Sequence, residues 1–196
     1  MKSNLLLLAV LLLLGGFFAY TQFNSGKDER TFKRELVNIQ VPNVEELYMK
    51  APKEEAMTYT KAGEKWTVQQ GGQSYPVKDQ LVESLLQQIA MIKPQRVAAM
   101  DQSKWQEMEV TDDLATRIKV KEGGTSTLDL YLGKFNFQQN QNPQAQMQQQ
   151  QQPKISSFVR LEGDKEVYTV ADLFAPSLNQ KLAAVIDSAA LNAVIE

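Results

Sequence analysis

A chain of 196 residues with 21 Lys and Arg against 23 Asp and Glu carries a formal charge of −2 and holds neither His nor Cys. The near balance of charge argues against a nucleic-acid or anionic-lipid surface. The two missing residue types remove the commonest general base, the thiolate nucleophile, the usual zinc, copper and haem ligands, and any disulfide framework.

In chain order, Lys2 is the only charge before Lys27, and the run Leu5 to Leu14 is followed by Gly15-Gly16-Phe17-Phe18-Ala19-Tyr20. An uncharged stretch of about 20 residues, rising about 1.5 Å per residue as a helix, nearly spans a hydrocarbon layer of about 30 Å. Residues 1–24 are therefore expected to form a signal anchor, a transmembrane helix in contact with membrane lipid. The cut site that a removable signal needs is weak. A cut after Thr21 puts Thr at −1, and a cut after Ala19 puts bulky Phe17 at −3. The uncleaved anchor is preferred over a cleaved signal, and the lack of a polar face disfavours a buried amphipathic helix. Without cysteine, a thioether-linked lipid is not available to hold the chain to the bilayer. Counting Lys and Arg sets Lys2 against Lys27, Arg30, Lys33 and Arg34, which gives no inward bias. The four-residue leading tail, typical of export signals, is what places residues 25–196 on the extracytoplasmic, periplasmic side of a cell membrane.

Residues 25–34 complete a charged stalk, and residues 35–188 are expected to form one domain. Val37, Ile39 and Val41 alternate with Asn38 and Gln40, which predicts a first strand ended by Pro42-Asn43. Strands follow over 45–51, 57–60 and 65–69, and Gly71-Gly72 supplies a tight turn back, so the domain opens as a β-meander. The period changes after Pro76. Leu81, Val82, Leu85, Leu86, Ile89 and Ile92 recur at three- and four-residue spacing, predicting an amphipathic helix over 77–92 that lies across the meander and stops at Lys93-Pro94.

A connection containing Arg96, Val97, Ala98 and Trp105 leads to a strand over 116–121 and, across Gly123-Gly124, to a partner over 128–132 closed by Gly133-Lys134. Residues 157–161 and 166–170 form a further hairpin. Between these pairs, the uncharged Gln-rich segment 137–153 is expected to be a disordered loop, a tolerated expansion with little apolar surface to order it. A second helix is predicted over 178–186, and 189–196 reads as a C-terminal tail. The fold class is α+β with mostly antiparallel pairing.

Among chemistry-bearing residues, the adjacent acids Glu45-Glu46, Glu54-Glu55 and Asp112-Asp113 read as solvated surface groups, and no nucleophile elbow, phosphate loop or dinucleotide fingerprint occurs. A non-enzymatic protein without cofactor or metal is expected. The candidates for partner or ligand contact are the aromatic residues Trp66, Tyr75 and Trp105. Trp66 and Tyr75 are expected to seal the core beneath the helix, and Trp105 lies in a connection without clear period.

The order Lys65-Trp66-x-Val68, Tyr75-Pro76-Val77-Lys78, Leu85-Leu86, Lys93-x-x-Arg96-Val97, Leu132-Gly133-Lys134, Phe158-Val159-Arg160-Leu161 and Val167-Tyr168 resembles the envelope family DUF4340 over roughly residues 30 to 185. Lys78 stands where family members often carry Asp, and the chain holds one copy of a unit that is often repeated. The resemblance implies an anchored, β-rich, noncatalytic accessory protein whose partners include subunits of a gliding-type ABC transporter. The resulting expectation is an extracytoplasmic scaffolding or protein-binding module of a cell-envelope complex. The rival is a periplasmic solute- or polymer-binding domain with a pocket near Trp66 and Tyr75. A hydrolytic reading would need carboxylates converging in a cleft.

Overall fold

Alternating apolar and polar residues build one antiparallel sheet of nine strands in a computed structural model that describes residues 35–138, 154–171 and 178–189. The strands are β1 (Val44–Lys50), β2 (Met57–Ala62), β3 (Lys65–Gln70), β4 (Gln73–Pro76), β5 (Pro94–Ala99), β6 (Thr116–Glu122), β7 (Thr125–Gln138), β8 (Lys154–Leu161) and β9 (Val167–Ala171). Their spatial order is β4-β3-β2-β1-β6-β7-β8-β9-β5. With the helices α1 (Leu81–Ala90), α2 (Trp105–Met108) and α3 (Leu182–Val185), the architecture is α+β in character and dominated by antiparallel strands. The expected anchor over 1–24 and stalk over 25–34 lie outside the described residues, as does all of the expected tail but Ala189. Among the described residues no helix is long and apolar enough to cross a membrane.

Cross-strand register fixes the two faces. Leu47 pairs with Val120 and with Tyr59, Met49 with Ile118 and Met57, Ile118 with Leu130, and Leu132 with Val159. All of these are buried, so they line one face, the core face. Helix α1 belongs to that core. Its Val82, Leu85, Leu86 and Ile89 are buried at i, i+3, i+4 and i+7, each stabilising by about 1.5–3 kcal/mol relative to exposure. Gly71 and Gly72 close the β3–β4 hairpin with φ of 58° and 80°, the positive values that match the strand twist.

Several predicted elements are corrected. The segment predicted as a strand at 37–41 is extended but unpaired. Leu36, Val37 and Ile39 are buried while Asn38 and Gln40 are exposed, and a 3-10 turn over Val41–Asn43 ends the segment. Its period of two reports burial and not ladder pairing. The helix predicted from 77 begins at Leu81, because Val77 bridges Ile186 and Lys78 N donates to Val185 O, and Gln80 turns the chain with φ of 60°. Residues 94–99, expected as a connection, form β5 on β9, and the strand expected to close at Gly133-Lys134 runs on to Gln138. Phe137 and Gln138 therefore belong to β7, paired with Ile155 and Lys154, and not to the expected loop. The rest of the Gln-rich segment, 139–153, lies outside the described residues. Of the second helix, expected over 178–186, the described residues keep Leu178 and the single turn of α3, since Val185 O and Asp187 N are taken by Lys78 N and Pro76 O.

Both sheet edges are blunted. Strand β4 is short and ends in Pro76, and β5 begins with Pro94 and carries register shifts at 94/96 and 97/99.

Candidate functional site

The three aromatic candidates divide between the two faces of the sheet. Trp66 lies opposite Lys61 in the β2–β3 register, on the core face, and is 7 % exposed. Its Nε1 donates to Glu83 Oε1 of α1 at 2.7 Å, and Lys61 Nζ stands 5.8 Å from its ring centroid. Tyr75, half-buried in β4, pairs with Val68 on the same face, and its hydroxyl donates to Gln73 Oε1. These two are neighbours, and Trp66 seals the core as expected. Two surface depressions, of about 310 Å³ around Glu54, Gln70 and Lys181 and of about 580 Å³ around Glu45, Lys61 and Glu122, are not lined by Trp66, Tyr75 or Trp105.

Trp105 belongs to the opposite face and to the richest constellation among the described residues. Residues 100–115, between β5 and β6, cross that face above β7 and β8, and Trp105 opens their short helix α2. Tyr131 of β7 and Arg160 of β8 are register partners whose side chains point to the same side. The Arg160 guanidinium carbon lies 3.9 Å from the Trp105 ring centroid and 4.0 Å from that of Tyr131, a cation held between two π faces. Arg160 is only 4 % exposed; its Nε donates to Val110 O at 3.1 Å and its Nη1 to Leu161 O at 3.3 Å. Trp105 Nε1 donates to Lys165 O at 3.0 Å. Around this stack, Ala99, Val110, Ala115, Tyr131 and Val167 form an apolar cluster of their own, with Trp105, Met108 and Phe158 packed on it.

On the other side of Tyr131 stands Arg117, its guanidinium carbon 4.8 Å from the ring centroid. Arg117 donates to both oxygens of Asp129 at 2.9 Å and to Asp112 Oδ1 at 3.1 Å, and Glu162 Oε2 lies 3.9 Å away. The Asp129 hydrogen bonds hold the Arg117 guanidinium above its ordinary range, so its charge is permanent. Tyr131 donates its hydroxyl to Asp112 Oδ1 at 2.8 Å, and burial first, then its bonds to Asp112 and Glu162, raise its pKa. Lys119 adds a contact to Asp129 at 3.5 Å.

Chemically, the cluster neutralises itself. Asp112, Asp129 and Glu162 do converge, but on a guanidinium that occupies the space where a hydrolase would place a water or a sugar. Among the described residues no group of three or more acids is disposed to hold a metal ion. The other acids do local work: Glu46 pairs with Lys121 at 2.8 Å, and Glu45 accepts from Gly124 N at 3.1 Å.

Arg117, Tyr131 and Arg160 are not among the contact candidates that the sequence offers, although Arg160 stands in one of the motifs shared with the resembled family. The available signal is an arginine within Phe158-Val159-Arg160-Leu161, where Val159 and Leu161 share the core face and Arg160 falls on the side that a solvent-facing strand would leave wet. Compared with protein families, with curated proteins and with solved structures, the chain matches none.

Proposed function

We propose that this protein is a membrane-anchored, extracytoplasmic binding or scaffolding module of a cell-envelope complex, without enzymatic activity of its own. The Leu5–Leu14 run and the sequence following it supply the anchor. The partner class, subunits of an ABC-type exporter, comes from the resemblance to the DUF4340 family.

The observation that carries the reading is the use made of the reactive-looking side chains. Trp66 holds Glu83, Trp105 and Tyr131 hold Arg160, and Arg117 holds Asp129, so each ties one element of the fold to another. What the domain offers outward is sheet and turn surface, such as Lys50, Thr60 and Gln69 on the face opposite the core. Such a surface suits contact with another protein better than enclosure of a small molecule.

The test is fractionation followed by mild detergent solubilisation of membranes that hold the full chain with a C-terminal tag. The chain is expected in the membrane fraction, with its domain open to protease added from the outer side, and to bring further envelope proteins through purification. Recovery of the intact chain from the cytosol, or of the solubilised chain alone and monomeric, would overturn the proposal.

A further inference from the structure

We infer that residues 101–115 are a latch that leaves and rejoins the sheet as one unit, with Arg160 as its catch. The inference stands on how the segment is fastened and is independent of the function proposed above.

Its own backbone hydrogen bonds are internal. Glu109 N donates to Gln106 O, Val110 N to Trp105 O, and Leu114 N and Ala115 N to Thr111 O. Among the described residues no backbone-to-backbone hydrogen bond joins residues 101–115 to any strand, whereas residues 185–187 are tied to the end of β4 by two. Attachment runs instead through side chains. Arg160 donates to Val110 O, Trp105 to Lys165 O, and Tyr131 and Arg117 to Asp112, whose own side chain is 71 % exposed.

The apolar part of the attachment is the small cluster of Ala99, Val110, Ala115, Tyr131 and Val167. It lies on the face away from Leu130 and Leu132, so separating it leaves the main core closed. Segments held by few apolar contacts and no ladder open at lower free energy than the sheet beneath them, and they do so as contiguous units. Strain adds to this. Glu109 ends α2 in the left-handed region with φ of 58°, a conformation that opening would release. Of these fastenings, only Arg160 is clasped between an aromatic ring of the segment and one of the sheet while also reaching the segment's backbone. Opening would uncover Tyr131, Val167 and the Arg160 cation together.

Hydrogen exchange by mass spectrometry on the full chain in detergent tests this. The amides of Glu109, Val110, Leu114 and Ala115 are expected to exchange together, about tenfold or more faster than the ladder amides of β1 and β6. Arg160→Ala should speed the four amides by about a further tenfold and leave β1 and β6 unchanged. Trp105→Phe, which keeps a ring over Arg160 but drops the bond to Lys165 O, should speed the same four by a smaller factor. Latch amides protected as strongly as β1 and β6, or either variant accelerating β1 and β6 in parallel, would overturn the inference. Failure of Arg160→Ala to fold would count against it too, because the segment and the sheet would then be one cooperative unit.

Discussion

Glu83 and Trp66 pin helix α1 to strand β3, the indole donating to the carboxylate at 2.7 Å from a ring that is 7 % exposed. A hydrogen bond to a charged group in a partly buried site contributes more than a neutral one, and removing the donor leaves the carboxylate with its desolvation uncompensated. Trp66→Phe is expected to destabilise the domain by about 1–3 kcal/mol. Urea unfolding of Trp66→Phe, Glu83→Gln and the double variant should give a coupling of about 1 kcal/mol. Additive effects would show that the two side chains do not act as a pair.

Gly133 offers the sharpest steric test. A Cβ there would stand 2.2 Å from Met108 O and 2.8 Å from Val110 Cγ1. Gly133→Ala should therefore cost about 1–3 kcal/mol, as overpacking does, and should shift Trp105 fluorescence by displacing the segment that carries it. Gly63→Ala meets no atom within 4 Å and should cost only the strain of its positive φ, about 1–2 kcal/mol, with Trp105 fluorescence unchanged. Equal fluorescence in the two variants would contradict the close approach.

Arg117 grips Asp129 with two parallel bonds of 2.9 Å, a geometry that an ammonium cannot reproduce. Arg117→Lys keeps the charge and loses the fork. With a quarter of the side chain exposed, the expected loss is about 1 kcal/mol, read from thermal unfolding at low salt and smaller at high salt.

Alkali should unfold the domain earlier than neutral conditions would suggest. Burial pushes the Tyr59 phenol up to about 12, from an ordinary value near 10. A group that holds its proton more tightly when folded contributes stability in full below the unfolded value and loses it as pH rises through the folded one. The loss from Tyr59 therefore falls between about pH 10 and 12, at about 1.4 kcal/mol per pH unit. Burial raises Tyr131 and Tyr168 in the same direction. Tyr59→Phe gives up only a 3.7 Å contact to Met57 Sδ, so it should be near neutral at pH 7 and less alkali-sensitive than the parent. Chemical denaturation at about pH 9 and about pH 11 checks both statements; a variant as sensitive as the parent would remove Tyr59 from the account.

Much of the sheet was legible because its period of two is a burial signal. Leu47 to Met49, Thr116 to Val120 and Leu128 to Leu132 alternate as half-buried strands must, and α1 shows its i, i+3, i+4 stripe openly. Where the signal failed, burial and pairing had come apart. Val37 and Ile39 alternate and are buried without a ladder, whereas Pro94 to Ala99 pair with β9 at an edge that demands little apolar alternation. The site was less legible than the fold. Trp105 stood out by its size, but the residues that give it meaning, Tyr131 and Arg160, are distant in sequence and meet only through the register of β7 and β8. No local pattern encodes that meeting, since a strand with a charge on its outer side looks the same whether water or a tryptophan lies above it.

The prolines that border the sheet bear on how copies of the chain meet one another. With Pro76 closing one margin, Pro94 opening the other, and the second margin kinked twice, neither side presents a straight row of amide donors and acceptors. A neighbouring copy therefore finds on neither described margin a long, even template for extending the hydrogen-bonded array, and contacts made there rest on side chains.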